Sequence, residues 1–127
     1  MPVKHYETGE RFTILFWQEE SGSCPTEDFL NTLRQKAKND CKRAGACLRR
    51  IADFGPLRNP DISRPLTAGI YELKPTDQVR ILYFYGEERR TIVCTHGFRK
   101  KSNKTPTEEI ERALRIHQCY LEEWREE

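Results

Sequence analysis

The chain has 127 residues, 36% hydrophobic and 33% charged, with a net charge of +2 at pH 7. That length makes one domain, 1–127, the default, and the composition suits a compact soluble domain with a heavily charged surface. The longest apolar runs, Thr13 to Trp17 and Ile81 to Tyr85, are far too short to cross a bilayer, and the charged start (M-P-V-K-H-Y-E) lacks a signal peptide's apolar stretch, so the expected location is cytoplasmic.

Arg11 to Trp17 (R-F-T-I-L-F-W) is rich in aromatic and branched residues and reads as a strand. A polar turn follows over Gln18 to Ser23. Pro25 suits the first position of a helix, with Glu27 and Asp28 in its first turn. Cys24 is then a poor N-cap, and Ser23 or Thr26 is expected to cap instead. Phe29, Leu30, Leu33 and Ala37 recur at helical spacing. A second helix is predicted from about Asp40 to Phe54. Ala44, Cys47, Leu48, Ile51 and Ala52 form its apolar stripe, Lys42, Arg43, Arg49 and Arg50 fall largely outside it, and Gly55-Pro56 ends it. The short connection between these helices predicts an antiparallel hairpin.

Leu57 to Thr67 reads as a loop. Three strands follow: Gly69 to Lys74, Val79 to Tyr85, and Arg90 to Phe98, joined by the turns Pro75 to Gln78 and Gly86 to Arg89. Such short connections predict an antiparallel meander. Thr105-Pro106-Thr107-Glu108 has the form of a capping box with proline at the first helical position. Ile110, Ala113, Leu114, His117, Tyr120, Leu121 and Trp124 form the apolar stripe of the helix it opens. The expected fold is α+β: a mostly antiparallel sheet with an N-terminal helical hairpin and a C-terminal helix, and one sheet face left wet for a site.

Charge is distributed unevenly. Arg34 to Arg50 holds seven basic residues and one acid, and His96 to Lys104 holds Arg99, Lys100, Lys101 and Lys104 with no acid. Glu108 to Glu127 holds seven glutamates against three arginines. A basic surface is the footprint of a polyanion binder. Cations beside a helix N-terminus make a phosphate site, although a solvated loop explains them as well. Arg80 interrupts the apolar strand V-R-I-L-Y-F-Y and can converge with Lys74 across the short turn before it; pairing with Glu72 or Asp77 is the structural alternative. His96 is placed to exchange protons near neutral pH, or to pack with Cys94 and Ile92. The five cysteines include no C-x-x-C pair and read as reduced thiols, and no carboxylate cluster suggests two-metal chemistry, so neither metal nor cofactor is expected. RNA can still be cleaved by such a site, because its 2′-hydroxyl supplies the nucleophile; the protein then needs orientation, a base, an acid and cations around the phosphate.

The runs Gly69-Ile-Tyr-Glu-Leu-Lys-Pro75, Val79-Arg-Ile-Leu-Tyr-Phe84, His96-Gly-Phe-Arg-Lys-Lys101, and Lys104-Thr-Pro106 with Glu108-Glu-Ile-Glu-Arg-Ala113 resemble the phage-derived HigB-like branch of the RelE/HigB/ParE toxin superfamily. The resemblance covers residues 69 to 121 well and the front half more loosely. It implies the toxin of a type II toxin–antitoxin pair that cleaves mRNA on translating ribosomes, a RelE/HigB-like fold, and a cognate antitoxin, expected to be of the helix-turn-helix type. By position it matches Arg80, Lys74, Arg99, Lys100 and Lys101 to the family's basic site; the expected catalytic set is Arg80, Arg99 and Lys101 with His96 as a candidate acid–base group, and Lys74, Lys100 and Lys104 are expected to bind RNA. RelE-type enzymes carry lysines where this chain has Ile70 and Glu72, and a tyrosine soon after the basic strand end where it has Ser-Asn-Lys-Thr-Pro; the general base is therefore open between His96 and Glu72. Two other readings stand beside this one: a non-catalytic ParE-like inhibitor of DNA gyrase, and an inactive RNA-binding module.

Overall fold

The computed structural model describes residues 2–56, 60–101 and 104–126. The elements in chain order are β1 (Val3–Thr8), β2 (Thr13–Trp17), α1 (Pro25–Lys36), α2 (Lys38–Phe54), β3 (Ser63–Thr67), β4 (Ile70–Leu73), β5 (Val79–Tyr85), β6 (Thr91–Arg99) and α3 (Thr107–Glu126). The strands form one sheet in the order β1-β2-β6-β5-β4-β3. Neighbours are antiparallel except β2 and β6, which run parallel, Thr13 beside Thr91 through Phe16 beside Cys94. The sheet is therefore mixed, a correction to the mostly antiparallel expectation. Strand β2 supports the parallel pairing because it is covered on both faces, as parallel strands are: Ile14 and Phe16 enter one core, Leu15 and Trp17 the other.

Two strands escape the sequence reading. Strand β1 lies at a sheet edge, and its polar residues Lys4 and His5 blur the alternation. Strand β3 falls inside the segment 57–67 expected to be loop; it carries Pro65, which a sheet tolerates at an edge, where β3 lies. Leu57, Arg58 and Asn59 of that segment lie outside the described residues, as do Ser102 and Asn103 of the basic motif.

The helices also differ from expectation in layout. Ala37 alone separates α1 from α2, in place of a hairpin loop, and α2 begins at Lys38. Cys24 is the N-cap of α1, with no side-chain hydrogen bond from any capping residue. Helices cover both faces of the sheet, so no face is left wet. The first core packs α1 and α2 on the sheet through Leu33, Leu48 and Ile51 against Ile81 and Tyr83. The second packs α3 on the other face, with Ala113, Ile116 and Tyr120 against Leu82, Phe84 and Val93. Each large side chain buried this way contributes about 1.5–3 kcal/mol. Gly97 explains one glycine of the basic motif: a Cβ there would stand 2.2 Å from the Phe29 ring, so α1 seats its phenylalanine where β6 has no side chain. The site must then lie at an edge or end of the sheet.

Candidate functional site

Strand alternation decides which cations meet. Arg64 pairs with Glu72, Glu72 with Leu82 and Leu82 with His96, so these four form one row across the α3 face of the sheet. Arg80, two residues before Leu82, shares that face. Glu72, 0% exposed, is the hub. Its Oε1 accepts from Arg64 Nε at 3.0 Å and lies 3.6 Å from Arg80 Nε, and its Oε2 accepts from the Thr105 hydroxyl. A buried carboxylate needs such partners, since an unpaired charge there costs several kcal/mol. The pairing explains why an acid stands inside β4. It also diverts Thr105 from the capping-box role: its hydroxyl serves Glu72, and α3 starts at Thr107, with Glu109 N and Ile110 N donating to Pro106 O.

Arg80 is 7% exposed, and its Nη1 donates to Thr76 O at 2.7 Å and Val79 O at 2.9 Å. The turn before β5 thus holds the guanidinium by two hydrogen bonds, while its Nε faces Glu72 without one. Lys100, 8% exposed, lies just past the end of β6, its backbone N–H donating to Gln78 O at 2.6 Å. Burial pushes its ammonium pKa down, the positive charges of Arg80, Arg64 and Lys74 push it further, and Glu72 opposes them. Arg64, Arg80 and Lys100 therefore gather around one buried carboxylate, with the charge of Lys74 close enough to act on Lys100. Beside them opens a polar cleft of about 310 Å³, lined by Arg43 of α2, Asp61, Lys74, Thr76, Asp77 and Arg80.

The structure brings Arg80, Lys74 and Lys100 together and sends other predicted residues elsewhere. Arg99 points to the opposite side, where its Nη2 donates to Asp40 of α2 at 2.8 Å. Lys101 and Lys104 are exposed on the segment leading to α3. His96 is 1% exposed beneath α3; its Nδ1 meets the Thr95 hydroxyl at 2.9 Å, and its Nε2 lies 3.3 Å from Glu109 Oε1 without hydrogen-bonding geometry. Burial, with Arg112 and Arg115 nearby, lowers its pKa to about 3, so the ring is neutral at physiological pH. Neither His96 nor Glu72, the two candidate bases, is open to solvent.

Sequence reasoning missed Arg64, Thr105 and Arg43. Arg64 was hidden in the supposed loop. Arg43 belongs to the seven-cation run of residues 34–50, whose surplus charge was the available signal. A somewhat larger cleft of about 370 Å³ opens over Tyr6 and Phe16 between α1 and α2, but its cation, Arg34, is bonded to Asn31. Among the described residues no group of three or more His, Cys, Asp or Glu side chains is arranged to hold a metal ion, and no helix is long and apolar enough to cross a membrane.

Residues 28–118 match the family described as phage derived protein Gp49-like (DUF891). No curated protein matches the chain. Among solved structures, the YoeB dimer from Staphylococcus aureus is similar with a TM-score of 0.50 and 20% identity, over 68% of this chain and 93% of that one. A YoeB/ParE toxin from Agrobacterium tumefaciens is similar with a TM-score of 0.47 and 14% identity, over 61% of this chain and 92% of that one. At its level of identity the Staphylococcus likeness speaks for the fold alone.

Proposed function

The chain belongs to the phage-derived Gp49-like family, and on that premise we propose that it is the toxin of a type II toxin–antitoxin pair, an endoribonuclease that cuts mRNA on translating ribosomes without a metal ion. The observation that carries this reading is the cluster of Lys74, Arg80 and Lys100 beside one polar cleft, with Glu72 as its buried counter-charge. An electropositive concavity of fixed side chains is what a phosphodiester requires for charge stabilisation.

In the reaction the RNA 2′-hydroxyl attacks the neighbouring phosphorus, the P–O5′ bond breaks, and a 2′,3′-cyclic phosphate and a 5′-hydroxyl result. Arg80 and Lys74 bear the charge that builds on the phosphate oxygens. Lys100 gives up its proton more readily than an ordinary lysine, which suits it to protonate the departing O5′. Asp77, exposed and lining the cleft, serves in this reading as the base that takes the 2′-hydroxyl proton. Lys101 and Lys104 extend the positive field along the strand. Glu72 and Thr105 position Arg80 and Arg64; Arg99, held by Asp40, and His96, beneath α3, take no chemical step. The partner is an antitoxin that neutralises the cleft.

The test is to induce wild type, Lys74→Ala and Arg80→Ala in a bacterium and to map new mRNA 5′ ends. Wild type is expected to cut inside translated frames, and each variant to cut roughly 10²-fold more slowly. Lys74→Ala is the cleaner variant, since Arg80 also pairs with Glu72 and its removal lowers stability. Growth arrest with intact mRNA would overturn the nuclease in favour of a gyrase-type target.

A further inference from the structure

The cation cleft does not end at Lys74. Arg43 and Lys74 also line a second cleft, about 240 Å³, that runs on between α2 and the start of β3 past Arg50 and Ile62. The next residue, Ser63, borders a third, about 260 Å³, walled by Pro65, Tyr71 and Tyr85. The three follow the line of β3. Lys74 N donates to Ile62 O at 2.8 Å at one end, and Pro65 stands opposite Tyr71 at the other. Three residue steps, Ile62 to Pro65, separate those ends, ~10 Å at ~3.3 Å per step. Helix α2 forms the facing bank of the first two clefts, through Arg43 in both and Arg50 in the second.

The two ends differ in chemistry. No ion pair among the described residues involves Arg43, Arg50 or Lys74, whereas Arg49, Arg64 and Arg99 are each held by carboxylates. The acids Asp61 and Asp77 line the first cleft and neither of the others. At the far end the rings are fixed. Tyr71 stacks on the buried Tyr83 with centroids 5.3 Å apart, and Tyr85 stands edge-on to both while remaining 42% exposed. Unpaired cations followed by a held, exposed aromatic ring match a polyanion that carries flat bases.

We propose that this groove is a track for single-stranded RNA, with phosphates on Arg43, Lys74 and Arg50 and a base stacked on the rings of Tyr85 and Tyr71. The track rests on the RNA-cleaving reading for the identity of its polymer, and its binding is measurable apart from any cleavage.

The probe is a fluorescent 2′-O-methyl ten-nucleotide oligouridylate, which lacks the attacking hydroxyl, titrated with the full-length protein by anisotropy. Tyr85→Ala is expected to weaken binding on the order of tenfold with the salt slope unchanged, and Tyr85→Trp to restore it. Arg50→Ala is expected to reduce the slope of log affinity against log salt by about 0.7, the loss of one phosphate contact. Wild-type binding by both Tyr85→Ala and Arg50→Ala, with mRNA still cut in the cell, would overturn the track and leave the nuclease standing. The expected binding pattern with no mRNA cut would do the reverse. If the two variants kept oligonucleotide binding but lost a protein partner, the groove would belong to that partner and the track would be overturned.

Discussion

At the scale of single residues, burial sorts the ionisable groups more sharply than sequence position does. Lys100 and Arg99 are adjacent, yet the pleat sends one to the Glu72 face and the other to Asp40. A run of three cations in sequence is therefore not one patch in space. The pairing of Arg80 with Glu72 was legible as an alternative from their neighbouring strands, but the second arginine on Glu72 was not, because Arg64 carries no periodic signal. His96 gives a test of burial. Its pKa is depressed, from 6.5 to about 3, so between those values the unfolded chain binds the proton that the folded chain refuses. Stability is then whole above pH 6.5 and is lost as pH falls through that window, by up to about 1.4 kcal/mol per pH unit. The groups facing the ring from α3 are Glu109, Arg112 and Arg115. Urea unfolding at pH 6.5 and pH 5 should show wild type losing roughly 2 kcal/mol more than His96→Gln. Equal losses would mean that the ring protonates without strain.

At the scale of elements, helix α3 and strands β5 and β6 were legible because their apolar patterns are long. Strands β1 and β3 were not, since an edge strand buries less and so repeats less clearly. The α1–β6 contact shows how a motif glycine earns a physical reason. Gly97→Ala would drive a methyl group into the Phe29 ring, and overpacking of this kind costs about 1–3 kcal/mol. The expected result is a lower urea midpoint with an unchanged m-value, and Phe29→Ala added to it should recover part of the loss. If Gly97→Ala alone melts as wild type, α1 slides freely on the sheet.

At the scale of the whole molecule, the parallel pair β2–β6 is the seam between two halves. One half is β1, β2, α1 and α2; the other is the meander β3 to β6 with α3. Both cores cross the seam, since Ile14 and Phe16 stand beside Ile92 and Cys94 on one face while Leu15 stands beside Val93 on the other. Fragments 1–56 and 57–127 are therefore expected to melt without a cooperative transition when alone, and to regain one when mixed, as read by circular dichroism. A sharp transition in either fragment alone would show that the seam is not where stability resides. Nothing in the sequence announces this seam, because pairing between distant strands leaves no local pattern.

The same seam sets a schedule for folding. Its partners stand about eighty residues apart along the chain, and long-range pairings of that kind slow the passage to the native state. A growing chain that has emitted Lys74 and Arg80 still lacks the middle of its sheet, and β2 and β5 each wait with an open edge for a strand not yet made. Such edges invite association with other chains. Once β6 emerges it closes both edges and delivers Lys100 at its end, so the cation cluster is completed in the same event that completes the sheet.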